Sequence, residues 1–93
     1  MATTNLRAYL GELNSLLEQE ALEEVIGHCR HILQHFPKNV ETYRILGQAL
    51  LARGRNDEAV EVFQRVLGAI PDDLIGTFGM SRANEHRDPN AAL

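Results

Sequence analysis

The residues with the clearest capacity for chemistry form one short row. His28, His31 and His35 stand at i, i+3 and i+7, with Cys29 beside the first of them. On a helix this spacing places the three imidazoles along one face, where they could offer ligands to zinc or nickel. Three ligands on one straight helix span roughly 10 Å at about 1.5 Å per residue, too far for one ion to reach all three easily. The row therefore favours a solvated outer face, and we expect no metal and no other cofactor.

Cys29 is the only cysteine, and it follows His28 directly. Adjacent helical residues point about 100° apart, so the imidazole does not face the thiol as a catalytic base would. Cys29 belongs to an apolar row and is interpreted as a small buried hydrophobe. The chain contains no glycine-rich phosphate loop, nucleophile elbow or paired acid motif. We therefore do not expect an enzyme.

Length and charge bound the remaining classes of function. The chain has 93 residues and a formal net charge of -4, with 9 Lys and Arg against 13 Asp and Glu. The basic residues are dispersed, so nucleic-acid binding is not expected. No run is long and apolar enough for a membrane, and residues 1–5 lack the pattern of a secretion signal. The length predicts a single small domain. One cysteine fits a reducing compartment, so we expect this domain in the cytoplasm.

The elements that position these residues are clearest between Val40 and Asp73. Apolar and small residues recur there at helical spacing on both sides of a polar turn, which predicts two helices. Gly54 suits the left-handed conformation that ends the first helix, and Asn56 is expected to cap the second. Pro71 is expected to end that second helix.

A period of 34 residues links this stretch to the one before it. Pro37 precedes Pro71 by that distance, and Tyr9 precedes Tyr43 by the same distance. An earlier helix pair is therefore predicted, with a glycine-free turn near residues 19–20. Its interior positions differ from those of the later pair: Leu13, Val25 and Cys29 take the places of Gly47, Ala59 and Phe63. A second alignment, which uses Leu10 and Gly11 as the Leu-Gly pair, stays open.

A fifth helix is predicted from about Asp73 to Glu85, with Asp72 or Asp73 as its cap. Gly76 and Gly79 lie in its interior, and each lowers helix stability by about 1 kcal/mol relative to alanine. We expect this helix to be held by packing and to be the most mobile of the five. The Asp-Pro pair at 88–89 is typical of a further helix start, which suggests that a longer array was truncated.

At fixed offsets the central stretch resembles a tetratricopeptide repeat, a helix-turn-helix unit of 34 residues. The residues at those offsets are Tyr43, Leu46, Gly47, Ala59, Phe63 and Pro71. The resemblance implies an all-α, right-handed solenoid that serves as a protein-interaction scaffold. We expect about five helices in one domain over residues 1–93. Its units are a first repeat at about 6–39, a second at about 40–73 and a partial third at about 74–93.

The resemblance also implies that a partner protein or peptide binds in a concave groove lined by the first helix of each unit. Transferred position by position, the groove residues are Arg7, Asn14, Arg44, Gln48, Leu51, Phe78 and Arg82. Arginine and amide groups would hold a carboxylate or a peptide backbone, and Leu51 or Phe78 would anchor an apolar side chain. Some members grip a chaperone's terminal carboxylate with lysine, asparagine and arginine. Of that set only Asn14 clearly matches, so a chaperone tail is not expected.

A rival interpretation is self-association. Arrays of this kind generally need about three units, and we expect the last helix to carry an uncovered apolar outer side. Its candidate contact residues are Val40, Leu74, Phe78 and Met80, which would be buried against a second copy. A metal-binding or catalytic domain built on the histidine row is a third class, which a zinc titration would separate. The pattern does not identify the partner, the process or the organism.

Overall fold

The computed structural model describes residues 6–85, which form five α-helices. Helix α1 spans Leu6–Glu18, α2 spans Leu22–His35, α3 spans Val40–Ala52, α4 spans Asn56–Ala69 and α5 spans Leu74–Glu85. The first two helices form one pair, α3 and α4 form a second, and α5 takes the place of the first helix in a third. The predicted all-α fold of helix-turn-helix units is confirmed. The proposed helix start at 88–89 lies outside the described residues.

Helix α3 is the centre of the array, because it contacts α1, α2, α4 and α5. Contacts on so many sides explain why α3 has more buried residues than any other of the five helices; they are Thr42, Ile45, Leu46, Gly47, Ala49 and Leu50. Among these buried residues Thr42 is polar, and its backbone N–H donates to Oδ1 of Asn39 at 2.8 Å. Its hydroxyl donates to the same oxygen. Asn39 therefore caps α3 and also satisfies the hydroxyl that the core encloses.

The turns within the two helix pairs have the same backbone geometry. In the second pair, Arg55 N–H donates to Leu50 O at 2.9 Å around Gly54, whose φ is +85°. In the first pair, Ala21 N–H donates to Leu16 O at 3.0 Å around Glu20, whose φ is 62°. Each is a Schellman-type ending with one left-handed residue. Glu20 thus stands 34 positions before Gly54 and adopts the conformation that glycine would adopt without strain.

The expected cap of α4 is wrong. Asn56 is the first helical residue, and Arg55 occupies the N-cap position without a side-chain cap. The Schellman turn, which includes the backbone N–H of Arg55, lets the helix start one residue earlier than a cap at Asn56 would. The Arg55 side chain instead binds Glu58, with Nε 2.6 Å from Oε2. The buried Oδ1 of Asn56 has no hydrogen-bond partner among residues 6–85.

The expected cap of α5 is confirmed at Asp73. Its Oδ2 accepts a hydrogen bond from the backbone N–H of Gly76 at 2.7 Å. A carboxylate at this position also complements the positive end of the helix dipole.

Phe63 of α4 is fully buried between two glycines on neighbouring helices. A Cβ at Gly47 of α3 would lie 2.7 Å from Cε1 and Cζ of that ring, and a Cβ at Gly79 of α5 would also fall inside 3.0 Å. A Cβ at Gly76 would lie 2.9 Å from Cδ2 of Leu67 and 3.0 Å from Cγ1 of Val66. The glycines that weaken α5 as a helix therefore let it approach α4 closely.

The first helix pair fills the same interior volume with different side chains. Leu13, Val25 and Cys29 each have no exposed surface. Leu13 and Val25 are larger than the glycine and alanine at the matching positions of the second pair, and Cys29 is smaller than the matching phenylalanine. The interior of the first pair is nevertheless closed, as volume-conserving changes allow.

The side of α5 that would face a following helix is mostly polar, whereas the expected uncovered apolar residues Leu74 and Phe78 are exposed on another side of the helix. The buried α3 residues Leu46, Gly47 and Leu50 correspond, 34 positions later, to Met80, Ser81 and Asn84. Ser81 and Asn84 are exposed, and Met80 is half-buried against the core cluster. The apolar side chains that α5 does expose lie elsewhere on the helix; they are Leu74, Ile75 and Phe78. Within residues 6–85 no helix combines the length and the apolar character needed to cross a membrane.

Candidate functional site

A recess lies between α3 and α5. It has a volume of about 580 Å³, and its lining residues are Gln48, Leu51, Ala52, Phe63, Leu74, Ile75, Phe78, Gly79 and Arg82. We call this recess the α3–α5 pocket. Its volume falls within the roughly 300–1,000 Å³ of known ligand pockets. Four of the seven predicted groove residues, Gln48, Leu51, Phe78 and Arg82, meet here.

The α3–α5 pocket is apolar with a polar edge. Leu74 is 83% exposed and Phe78 is 64% exposed, so both side chains are open to contact. The guanidinium of Arg82 lies over the Phe78 ring, 5.7 Å from its centroid. Such a cation–π contact holds the charge beside the apolar surface. The pocket lining contains one cation and no carboxylate, so it offers an apolar cavity with positive charge at one side.

Arg44 was predicted to face a ligand, and the structure gives its side chain two protein partners. Its Nη2 lies 2.6 Å from Oδ1 of Asp73, and its Nη1 lies 2.6 Å from Oε1 of Glu41. The side chains of Arg44 and Asp73 are only 20% and 9% exposed. The hydrogen bond from Arg44 lowers the pKa of Asp73 below its ordinary value, and the same bond raises the pKa of Arg44. Arg44 thus ties α3 to the start of α5 and has its charge balanced within the protein.

Arg7 and Asn14 lie at a second recess, apart from the α3–α5 pocket. This recess of about 500 Å³ lies between α1 and the start of α3, and its lining residues are Leu6, Arg7, Leu10, Gly11, Asn14, Asn39 and Glu41. The Asn14 side-chain amide donates to Leu10 O at 3.2 Å. The predicted groove is therefore divided into two recesses, with the Arg44 ion pairs between them.

The residues named for self-association do not form one surface. Leu74 and Phe78 lie one turn apart and are both exposed. Met80 follows Phe78 by two positions, which places it about 200° around the helix, and it packs against the core. Val40 is half-buried at the start of α3. A contact through this end of the array would therefore depend on Leu74 and Phe78.

The histidine row contacts protein side chains. The Tyr9 hydroxyl lies 2.6 Å from Nδ1 of His28, and the rings of His31 and His35 meet edge to face with centroids 5.1 Å apart. No group of three potential metal-binding side chains occurs within residues 6–85. Burial raises the pKa of Cys29 to about 12, so its thiol is protonated at neutral pH. The interpretation of Cys29 as a buried hydrophobe is confirmed.

Three lining residues of the α3–α5 pocket were not predicted as site residues, namely Ala52, Phe63 and Gly79. Ala52 comes directly after Leu51 at the end of α3, and sequence spacing alone gave it no distinguishing signal. Gly79 did carry a signal, because a glycine inside a predicted helix often marks a close approach. A Cβ at this position would lie within 3.0 Å of the Phe63 ring, so Gly79 marks the close approach of α5 to α4.

A family model described as "Tetratricopeptide repeat" matches residues 16–75. The match covers α2, α3 and α4 completely and reaches into α1 and α5. No curated protein and no solved structure matched the chain.

Proposed function

We propose that this chain, which belongs to the tetratricopeptide repeat family, binds a segment of a partner protein along the groove formed by α1, α3 and α5. Repeats of this family generally mediate protein–protein interactions, and the family is not one of enzymes. The observation that carries the proposal is the α3–α5 pocket, where Gln48, Leu51, Phe78 and Arg82 line one cavity.

Two properties of the pocket support binding. Its lining is mostly apolar with a few polar groups at the side, which is the usual composition of a binding site. Phenylalanine and arginine are also among the residues that are enriched in the core of protein–protein interfaces. Phe78 and Arg82 provide both, within one helical turn.

The test is capture of partner proteins on the immobilised chain, measured by quantitative mass spectrometry. Phe78→Ser should remove the specific partners, because it removes an aromatic contact at the pocket. We expect at least about tenfold weaker binding, corresponding to about 1.4 kcal/mol. Phe36→Ser is the matched control, because Phe36 is also an exposed phenylalanine, 50% exposed at the end of α2. Equal loss in both variants, or retention in both, would contradict the groove as the binding surface.

The rival is self-association through Leu74 and Phe78, which is favoured by the high exposure of both side chains. A stable interface buries about 800 Å² on each partner, more than two side chains provide. A dimer would therefore have to include more of α5 and the pocket edge. Light scattering after size-exclusion chromatography, over a dilution series, separates the two functions. A dimer that Phe78→Ser dissociates and Phe36→Ser does not would favour self-association.

A further inference from the structure

Three side chains on α5 form a straight row at the edge of the α3–α5 pocket. Leu74, Phe78 and Arg82 stand four positions apart, so they follow one ridge of the helix. All three line the pocket. The row is apolar over its first two positions and cationic at its third.

The charge of this row is opposite to that of the chain as a whole. The full sequence has a formal net charge of -4, yet the pocket lining holds Arg82 and no carboxylate. Arg44, the nearest predicted groove cation, is balanced by Asp73 and Glu41. The charge presented beside the pocket is therefore that of Arg82, and it favours an acidic partner.

We infer that the occupant of the α3–α5 pocket is an acidic amphipathic α-helix of a protein partner, packed along α5. This inference rests on the proposed function and specifies the partner's chemistry. The partner helix places two large apolar side chains, one turn apart, beside Leu74 and Phe78. It places an aspartate or glutamate one further turn along, against Arg82.

A helix is the occupant that matches the row. Ridges four residues apart pack into the grooves of another helix, whose own side chains recur with the same spacing. The open cavity of about 580 Å³ receives apolar groups over the length of α5 from Leu74 to Arg82.

Arg82 is positioned to select the carboxylate. Its contact with the Phe78 ring holds the guanidinium at the boundary between apolar surface and solvent. A guanidinium at such a boundary can donate two parallel hydrogen bonds to a carboxylate. The apolar contacts would then exclude water around that ion pair and strengthen it.

The test is a selection from a random peptide library of three helical turns or more, displayed on phage, against the wild-type chain and two charge-reversal variants. The variants are Arg82→Glu and the control Arg65→Glu. Arg65 is an exposed arginine that likewise lies over an aromatic ring, 5.8 Å from the centroid of Tyr43, and it does not line the pocket.

We expect the wild type and Arg65→Glu to select two apolar residues three or four apart, followed or preceded by an acid one turn away. Arg82→Glu should select lysine or arginine at the position of that acid. A synthetic wild-type-selected peptide should bind Arg82→Glu at least about tenfold more weakly, and reversing the peptide charge should restore affinity. Proline in the middle of the peptide should abolish binding, because it breaks a helix.

The remaining outcomes separate the two proposals. Selected peptides that depend on Phe78 but keep their acid against Arg82→Glu, or that tolerate the central proline, would overturn this inference and leave the proposed function standing. A failure to select any peptide that depends on Phe78 would overturn both. If the chain is then a dimer that Phe78→Ser dissociates, the occupant of the pocket is a second copy of the chain.

Discussion

Replacing Gly79 by alanine should destabilise this protein, although alanine is the better helix former. The reason is the Phe63 ring, which has no exposed surface and lies against Gly79 on one side and Gly47 on the other. A Cβ at position 79 would come closer than 3.0 Å to three carbon atoms of that ring. The ring cannot withdraw towards Gly47, where the space is also filled. Either α5 must move outward or the ring must leave its preferred position.

The magnitude follows from two opposing terms. Alanine in place of glycine inside a helix gains about 1 kcal/mol. Forcing an extra methyl group into a filled interior loses about 1–3 kcal/mol. Gly68 of α4 provides the internal reference, because a Cβ there meets nothing within 4 Å. Gly68→Ala should therefore show the gain alone, and Gly79→Ala should be less stable than Gly68→Ala by about 1–3 kcal/mol.

Equilibrium denaturation, followed by far-ultraviolet circular dichroism, measures this difference. Each variant is compared with the wild type under identical conditions, and the slope with denaturant should be unchanged. Adding Phe63→Leu to Gly79→Ala should recover part of the loss, because the smaller side chain vacates the space that the new methyl group needs. If Gly79→Ala were as stable as Gly68→Ala, the close approach of α5 to Phe63 would be refuted.

Two further predictions concern the helix ends. Asp73→Asn keeps an acceptor for the Gly76 N–H but loses the charge that binds Arg44, so unfolding at neutral pH should become about 1.5 kcal/mol easier. The hydrogen bond from Arg44 lowers the pKa of folded Asp73 below its ordinary 3.8. The stabilisation is therefore complete above pH 3.8 and is lost as the pH falls through the lower folded-state pKa. A wild-type advantage that persisted in strong acid would contradict this. Glu20→Gly should stabilise the fold by roughly 0.5–1 kcal/mol, because it removes the strain of a left-handed non-glycine residue. The gain is smaller than the full strain energy, since glycine also makes the unfolded chain more flexible. Thermal unfolding beside Glu18→Gly, at an exposed helical position, is the check, and a loss of stability at position 20 would refute the strain.

The fold was accessible from the sequence because its main signals are local. The spacing of Pro37 and Pro71, together with helical apolar rows, gave five helices close to their observed bounds. The prediction that Asn56 caps α4 was wrong, because the position of the cap depends on how far the preceding turn extends. Arg55 is part of that turn through its backbone N–H, and neither its residue type nor its spacing revealed this. The role of Glu20 was equally hidden, since glutamate is not among the residue types enriched in the left-handed conformation.

The site was only partly accessible, because it depends on contacts between units. Gln48, Leu51, Phe78 and Arg82 were named from the first-helix rule, and they do line one pocket. The balance of Arg44 by Asp73 was missed, since 29 residues separate the two in sequence and the packing of α5 beside α3 brings them together. A residue that caps the first helix of one repeat lies beside the first helix of the preceding repeat. This geometry was the signal from which the contact between Asp73 and Arg44 could have been predicted.

The position of Phe63 has a consequence for how the array comes apart. Solenoids are often described as stacks whose end members fray independently of the rest. Here the Phe63 ring packs inside the α3–α4 pair and also against α5. Detaching α5 would uncover that ring and leave a cavity inside the central pair, so the three helices should open cooperatively. In hydrogen exchange, amides of α5 should therefore share the protection of α3 and α4, and a partner bound in the pocket should raise the protection of all three together.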